Sequence, residues 1–191
     1  MQRHTIFRLL AIAAFASTYV TIILGGNVIA TGSGLACPDW PSCHGNFLPP
    51  LSGQTAIEWG HRVSAFVTGA LVASMTLVGL ASERRRPVLR GLSVCASLLV
   101  LAEAMLGGLV VDTRLVVGVV LFHFLLATVL FGLLLLIAFL ANVRDIPKKW
   151  ASWAERAMVE EKPSETLARL DRRAIPGPGP APGPSRGADG R

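Results

Sequence analysis

Residues 115–141 read LVVGVVLFHFLLATVLFGLLLLIAFLA, with no Lys, Arg, Asp or Glu and one histidine, His123. About 20 apolar residues in a helix cross a hydrocarbon core, so this run predicts a membrane-spanning helix. Three further runs, 6–26, 57–81 and 91–111, are almost free of Lys and Asp and are also long enough to cross. The 191-residue chain is 52% hydrophobic and 16% charged, and its charges gather between these runs. That pattern excludes a small soluble core. The expected fold class is an all-α membrane protein, a bundle of four transmembrane helices.

Arg3 and Arg8 precede the first run, as they would in a signal peptide. The run exceeds the usual h-region of about 7–15 residues, and no clear small-x-small cleavage site follows it. It is read as the first helix. The net charge of +6 invites a nucleic-acid partner, but its placement argues against one. Arg3, Arg8, Arg84, Arg85, Arg86, Arg90, Arg144, Lys148 and Lys149 flank alternate helix ends, while residues 27–57 hold no Lys or Arg. The positive-inside rule then puts both termini and the 82–90 loop in the cytoplasm, and the 27–57 loop outside a cell membrane. The domain organisation expected is a transmembrane unit over 1–144, a partly helical cytoplasmic segment over 145–174, and a disordered Pro/Gly-rich tail over 175–191. Trp150 and Trp153 suit an interfacial belt.

The two halves resemble each other. Leu24-Gly25-Gly26-Asn27-Val28-Ile29-Ala30-Thr31 matches Leu106-Gly107-Gly108-Leu109-Val110-Val111-Asp112-Thr113 at five of eight positions. Each copy ends an outward-going helix and precedes a returning helix with a histidine near its outer end. This is the pattern of a parallel repeat about an axis along the membrane normal. The second and fourth helices then occupy equivalent positions. Counted from the ends of the apolar runs, His61 lies about four residues inside its helix and His123 about eight, depths of roughly 6 and 12 Å.

An intramembrane histidine is costly and is a functional candidate by default. Two imidazoles on opposite faces of a porphyrin give six-coordinate haem iron. They are too few for a structural zinc, which takes four ligands. Ala65, Gly69, Gly118 and Ala127 flank the histidines and leave room for a flat ligand, although such small residues also serve close helix packing. Glu58 precedes His61 by three residues and should share its face. Beside a haem edge it is a candidate acid or base, and as an interfacial carboxylate at a helix start it needs no further role. Arg62 can pair with a haem propionate or snorkel to the outer surface. Glu103, near the middle of the third helix, needs a partner or a proton there. Cys37 and Cys43 bracket five residues of the outward loop, where neighbouring thiols usually oxidise. A loop staple and a redox pair are both open. Cys95 reads as packing and His44 as a solvated loop residue.

The stretch TGSGLACPDWPSCHG at 31–45, followed by EWGHR at 58–62, resembles the haem A synthase family. The second LGG-then-His pattern is similar to it as well, and the resemblance covers roughly residues 20–130. It implies oxidation of a ring methyl of haem O to a formyl group through a hydroxymethyl stage. It implies haem (haem b or haem O) with His61 and His123 as axial iron ligands, and Glu58 assisting proton removal or stabilising positive charge. It implies a disulfide between Cys37 and Cys43. The partners implied are a haem O synthase upstream and a haem-A terminal oxidase downstream. Most members have two four-helix halves, one for substrate haem and one for a relay haem. This chain carries one half, like shorter archaeal-type members, so a homo-oligomer is expected to supply further sites. Glu103 stands where the family pattern leads one to expect an uncharged amide.

Two rivals share these residues. A non-enzymatic b-type haem carrier or oxidase assembly factor needs the histidines but not Glu58. A quinone-linked disulfide generator would use the Cys pair, but such proteins usually relay electrons through a second thiol pair, and the 112–114 loop has none.

Overall fold

The computed structural model describes residues 2–83 and 85–143, with the backbone alone at Gln2 and Arg3. The segment and tail expected over 145–174 and 175–191, with Trp150 and Trp153, lie outside the described residues. Four helices follow in order: α1 (Gln2–Ala30), α2 (Gly53–Ser82), α3 (Pro87–Asp112) and α4 (Val117–Asn142). All four are long and apolar enough to cross a membrane. Among the described residues the only β-type pairing is an isolated bridge between Cys43 and Asn46. The all-α bundle and the multi-pass architecture expected from the sequence are both present.

The helices differ from the apolar runs at their ends. Both α2 and α3 start four residues early, at Gly53 and at Pro87. Helical hydrogen bonding continues through polar residues that hydrophobicity alone does not count, and Pro at a first helical position costs no hydrogen bond. These shifts change the depths. His61 stands eight residues after Gly53, and His123 six after Val117, so the two are closer to level than expected.

Each helix packs against its two neighbours in the cycle α1–α2–α3–α4–α1, and the diagonal pairs make no close backbone approach. In this ring α2 and α4, the histidine-bearing helices, face each other across the centre. Lipid tails are as apolar as leucine, so helices in a bilayer associate through close packing and polar contacts rather than through hydrophobic force. The end of the bundle that holds the start of α1 shows the packing. Phe7, Met75, Leu134 and Ile137 are fully buried there, with Ala11, Ala14 and Ala96 between them. Gly79 admits the Phe7 ring, whose Cε2 would lie 2.8 Å from an added Cβ. The polar contacts lie between neighbouring helices. Ser17 and Thr21 of α1 bond Thr68 at 2.8 and 3.0 Å, and Thr21 also bonds Ser64 at 2.6 Å. Thr76 of α2 donates to the Ser93 carbonyl of α3 at 2.9 Å. Arg8 donates twice to Asn142, tying the first helix to the last. Phe15 stacks on Phe131 with centroids 4.9 Å apart.

Candidate functional site

The opposite end of the bundle is organised by polar groups and one disulfide. Residues 31–52 form the loop between α1 and α2. Cys37 and Cys43 are bonded and completely buried. Between them the chain turns about Asp39, whose carboxylate accepts from the Ser42 hydroxyl and from the backbone N–H groups of His44 and Gly45. His44 and Gly45 both adopt left-handed backbone angles, φ 52° and 73°, and that conformation points their N–H groups back at Asp39. The Ser42 hydroxyl, then the Gly45 and His44 amides, hold the Asp39 carboxyl below its ordinary value of 3.8.

Beneath this loop lie Glu58 and Arg62 of α2, one helical turn apart and both buried. Arg62 donates to the carbonyls of Cys37, Asp39 and Ser42 and to Glu58 Oε1. Glu58 Oε2 accepts the Cys37 N–H at 2.7 Å. Each carboxylate oxygen therefore has a donor, and the guanidinium is spent on the loop. Arg62 does not snorkel to the surface. Sequence reasoning treated Glu58 and Arg62 separately, and only the folded loop shows that they pair and what they hold.

The loop also spans the ring. Trp40 lies on Gly108 of α3, where an added Cβ would come 3.0 Å from the indole ring. Leu115, in the short turn between α3 and α4, lies on Gly34 at 3.0 Å by the same measure. Each connection thus rests on a glycine of the opposite hairpin.

The two histidines sit in matched surroundings. An added Cβ at Gly25 would come 3.0 Å from His61 Cε1, and one at Gly107 would come 3.5 Å from His123 Cε1. The first glycine of each LGG copy therefore faces the histidine of the helix that follows. His61 Nδ1 is 3.1 Å from the Thr21 carbonyl. A carbonyl only accepts, so Nδ1 carries the proton and Nε2 keeps its lone pair. His123 Nδ1 lies against Glu103 Oε2. Among the described residues no cluster of three or more His, Cys, Asp or Glu side chains is placed to hold a metal ion. Two imidazoles with free Nε2 atoms suit a metal that brings its other ligands with it, as porphyrin iron does. Glycines beside both rings, on helices that face each other across the bundle, fit that group.

Sequence reasoning paired neither Thr21 with His61 nor Glu103 with His123. For Glu103 a signal was present, an acidic side chain three residues before the second LGG copy, whereas the partner of His61 is a backbone carbonyl.

Fold and site together define a multi-pass membrane bundle with one histidine on each of two diagonal helices, closed at that end by a disulfide-bonded loop. The chain belongs to the cytochrome oxidase assembly protein family, whose model matches residues 8–160. It is 35% identical over 135 residues to a haem A synthase of Geobacillus kaustophilus, covering 70% of this chain and 43% of the relative. It is 34% identical over 137 residues to a haem A synthase of Bacillus pumilus, covering 70% and 44%. A protoheme IX farnesyltransferase of Halobacterium salinarum is 35% identical over 89 residues, covering 45% of this chain and 19% of the relative. The chain therefore spans less than half the length of the haem A synthases it matches. The resemblance read from TGSGLACPDWPSCHG and EWGHR is borne out.

Proposed function

We propose that this chain is a haem A synthase, an oxidoreductase that converts a ring methyl of haem O to a formyl group. The observation that carries the reading is the matched pair of histidines, each seated on an LGG glycine, with His61 Nδ1 on the Thr21 carbonyl and His123 Nδ1 against Glu103. The names of the relatives support the same reading. His61 and His123 hold the iron through Nε2, and bound haem supplies a redox-active iron centre. Haem O is the substrate and haem b the other tetrapyrrole the pair accepts. The cytoplasmic termini follow from the positive-inside rule, which puts the disulfide loop on the outer side.

Glu58 is the acid–base group of this reading, and its partners define how it works. With Arg62 on one oxygen and the Cys37 N–H on the other, it is a fixed carboxylate at the edge of the site. It would stabilise positive charge at the oxidised carbon, with Arg62 holding it in place. Water supplies the formyl oxygen, and the four electrons and four protons released per methyl leave to an electron acceptor and to solvent outside the chain. The name of the Halobacterium relative supports placing the chain beside the reaction that farnesylates haem, with a haem O synthase as supplier, a terminal oxidase as recipient, and a second copy of the chain as a source of further sites.

One observation favours a second reading, a haem carrier or oxidase assembly factor: both Glu58 oxygens already serve the loop. Co-expression with a haem O-producing enzyme, followed by mass spectrometry of extracted haems, separates the two. The enzyme yields haem A, whereas a carrier returns haem O unchanged. Glu58→Gln keeps an acceptor for the Cys37 N–H. In the enzyme it abolishes conversion while the haem absorbance remains. His61→Ala and His123→Ala each remove the low-spin Soret band, and retention of that band in both rejects either reading.

A further inference from the structure

Glu103 is buried in the middle of α3, with 8% of its surface exposed. Its Oε2 lies against His123 Nδ1 as an ion-pair contact, and neither that nitrogen nor either carboxylate oxygen has a hydrogen-bond partner among the described residues. An acidic side chain at this depth is expensive in a bilayer. Leu99, Val100 and Leu106 around it in sequence show that an apolar residue would suit the helix.

The repeat shows what the carboxylate replaces. Thr21 and Glu103 occupy the same register, three residues before LGG. In the first hairpin the Thr21 carbonyl takes the imidazole Nδ1 proton. In the second hairpin a side-chain carboxylate stands at Nδ1 instead. A second group bonded to a metal-bound imidazole fixes its tautomer and ring orientation, and a carboxylate there also raises its basicity.

We propose that Glu103 is a positioning residue for His123: it holds the Nδ1 proton, aims Nε2 at the iron, and makes His123 the stronger donor of the two histidines. The proposal rests on His123 being an iron ligand. An imidazole with more electron density favours ferric over ferrous iron, so the pair sets the reduction potential as well as the grip.

The test uses the full-length protein in detergent, reconstituted with haem b, in four forms: wild type, Glu103→Gln, Glu103→Leu and His123→Ala. Haem affinity, the low-spin spectrum and the midpoint potential are read. Glu103→Leu is expected to lose about 10- to 100-fold in affinity, the usual cost of removing such a partner, together with most of the low-spin signal. Glu103→Gln keeps an acceptor at Nδ1, so it retains the low-spin spectrum. It loses about tenfold in ferric-over-ferrous preference, which raises a one-electron potential by about 59 mV. A purely structural Glu103 would leave the potential unmoved, and Leu there would bind haem normally. If Glu103→Leu fails to fold, the potential of Glu103→Gln decides. Wild-type affinity and potential in the Glu103 variants overturn the proposal. If His123→Ala keeps the low-spin haem, the ligand assignment falls and the proposal with it. If His123→Ala loses the haem while the Glu103 variants match wild type, only the role of Glu103 falls.

Discussion

The two ends of the bundle are held by different forces. At the end bearing Phe7, Met75, Leu134 and Ile137, side chains fill the space between all four helices. At the end bearing the histidines, the helices are tied from above instead: by the Cys37–Cys43 bond, by Arg62 on three loop carbonyls, and by Trp40 and Leu115 resting on glycines. The first arrangement fills the centre of the ring, and the second fixes the walls from the loops above. A site that must admit a large flat molecule needs the second.

The contrast makes its strongest demand at Gly25. An added methyl there overpacks against His61, so Gly25→Ala should displace the ring and lower haem affinity about tenfold, the effect of 1–3 kcal/mol of overpacking. Gly107→Ala meets His123 at ordinary contact distance and should lose much less. Haem titration followed at the Soret band checks both, and equal losses would break the difference between the two hairpins. Met75→Ala, at the packed end, should cost about 1–2 kcal/mol, the cavity part of the usual 2–5 kcal/mol, because lipid supplies no transfer term. Its thermal unfolding should shift while haem affinity stays near wild type. A fall in haem affinity would mean that the two ends are coupled more tightly than the packing suggests.

The smallest effect concerns Asp39. Its carboxyl titrates below 3.8 in the folded loop, so its contribution is fully present above about pH 4 and is lost as pH falls through the depressed value. Reduction of the Cys37–Cys43 bond by a phosphine should therefore quicken as the solution is acidified past that point. Asp39→Asn should flatten the acid-dependent step. An unchanged pH profile in that variant would remove Asp39 from the control of the loop.

Much of this was legible in the sequence. Apolar runs and their flanking charges showed four helices, because a bilayer filters sequence so strongly. The LGG repeat linked the two histidines, and the loop cysteines were recognisable from their setting. Other features stayed hidden for physical reasons. The partner of His61 is a backbone carbonyl, which every residue has, so nothing in the identity of Thr21 announces it. Glu58 and Arg62 were visible as candidates but not as a pair, because what joins them is the 31–52 loop as it turns about Asp39. Helix ends ran past the apolar residues, which is why the relative depths of His61 and His123 came closer than the hydrophobic boundaries implied.

The ring closes on itself: α1 touches α4, and Arg8 reaches Asn142 at the end where α1 begins and α4 stops. Every link in the chain joins spatial neighbours, so the starting point is topologically arbitrary. A circular permutant opened between Ser82 and Pro87, with a short flexible linker from Val143 back to Gln2, keeps every helix beside its present neighbours. It would also exchange the order of the hairpins, so that the Glu103–His123 pair is synthesised and inserted first.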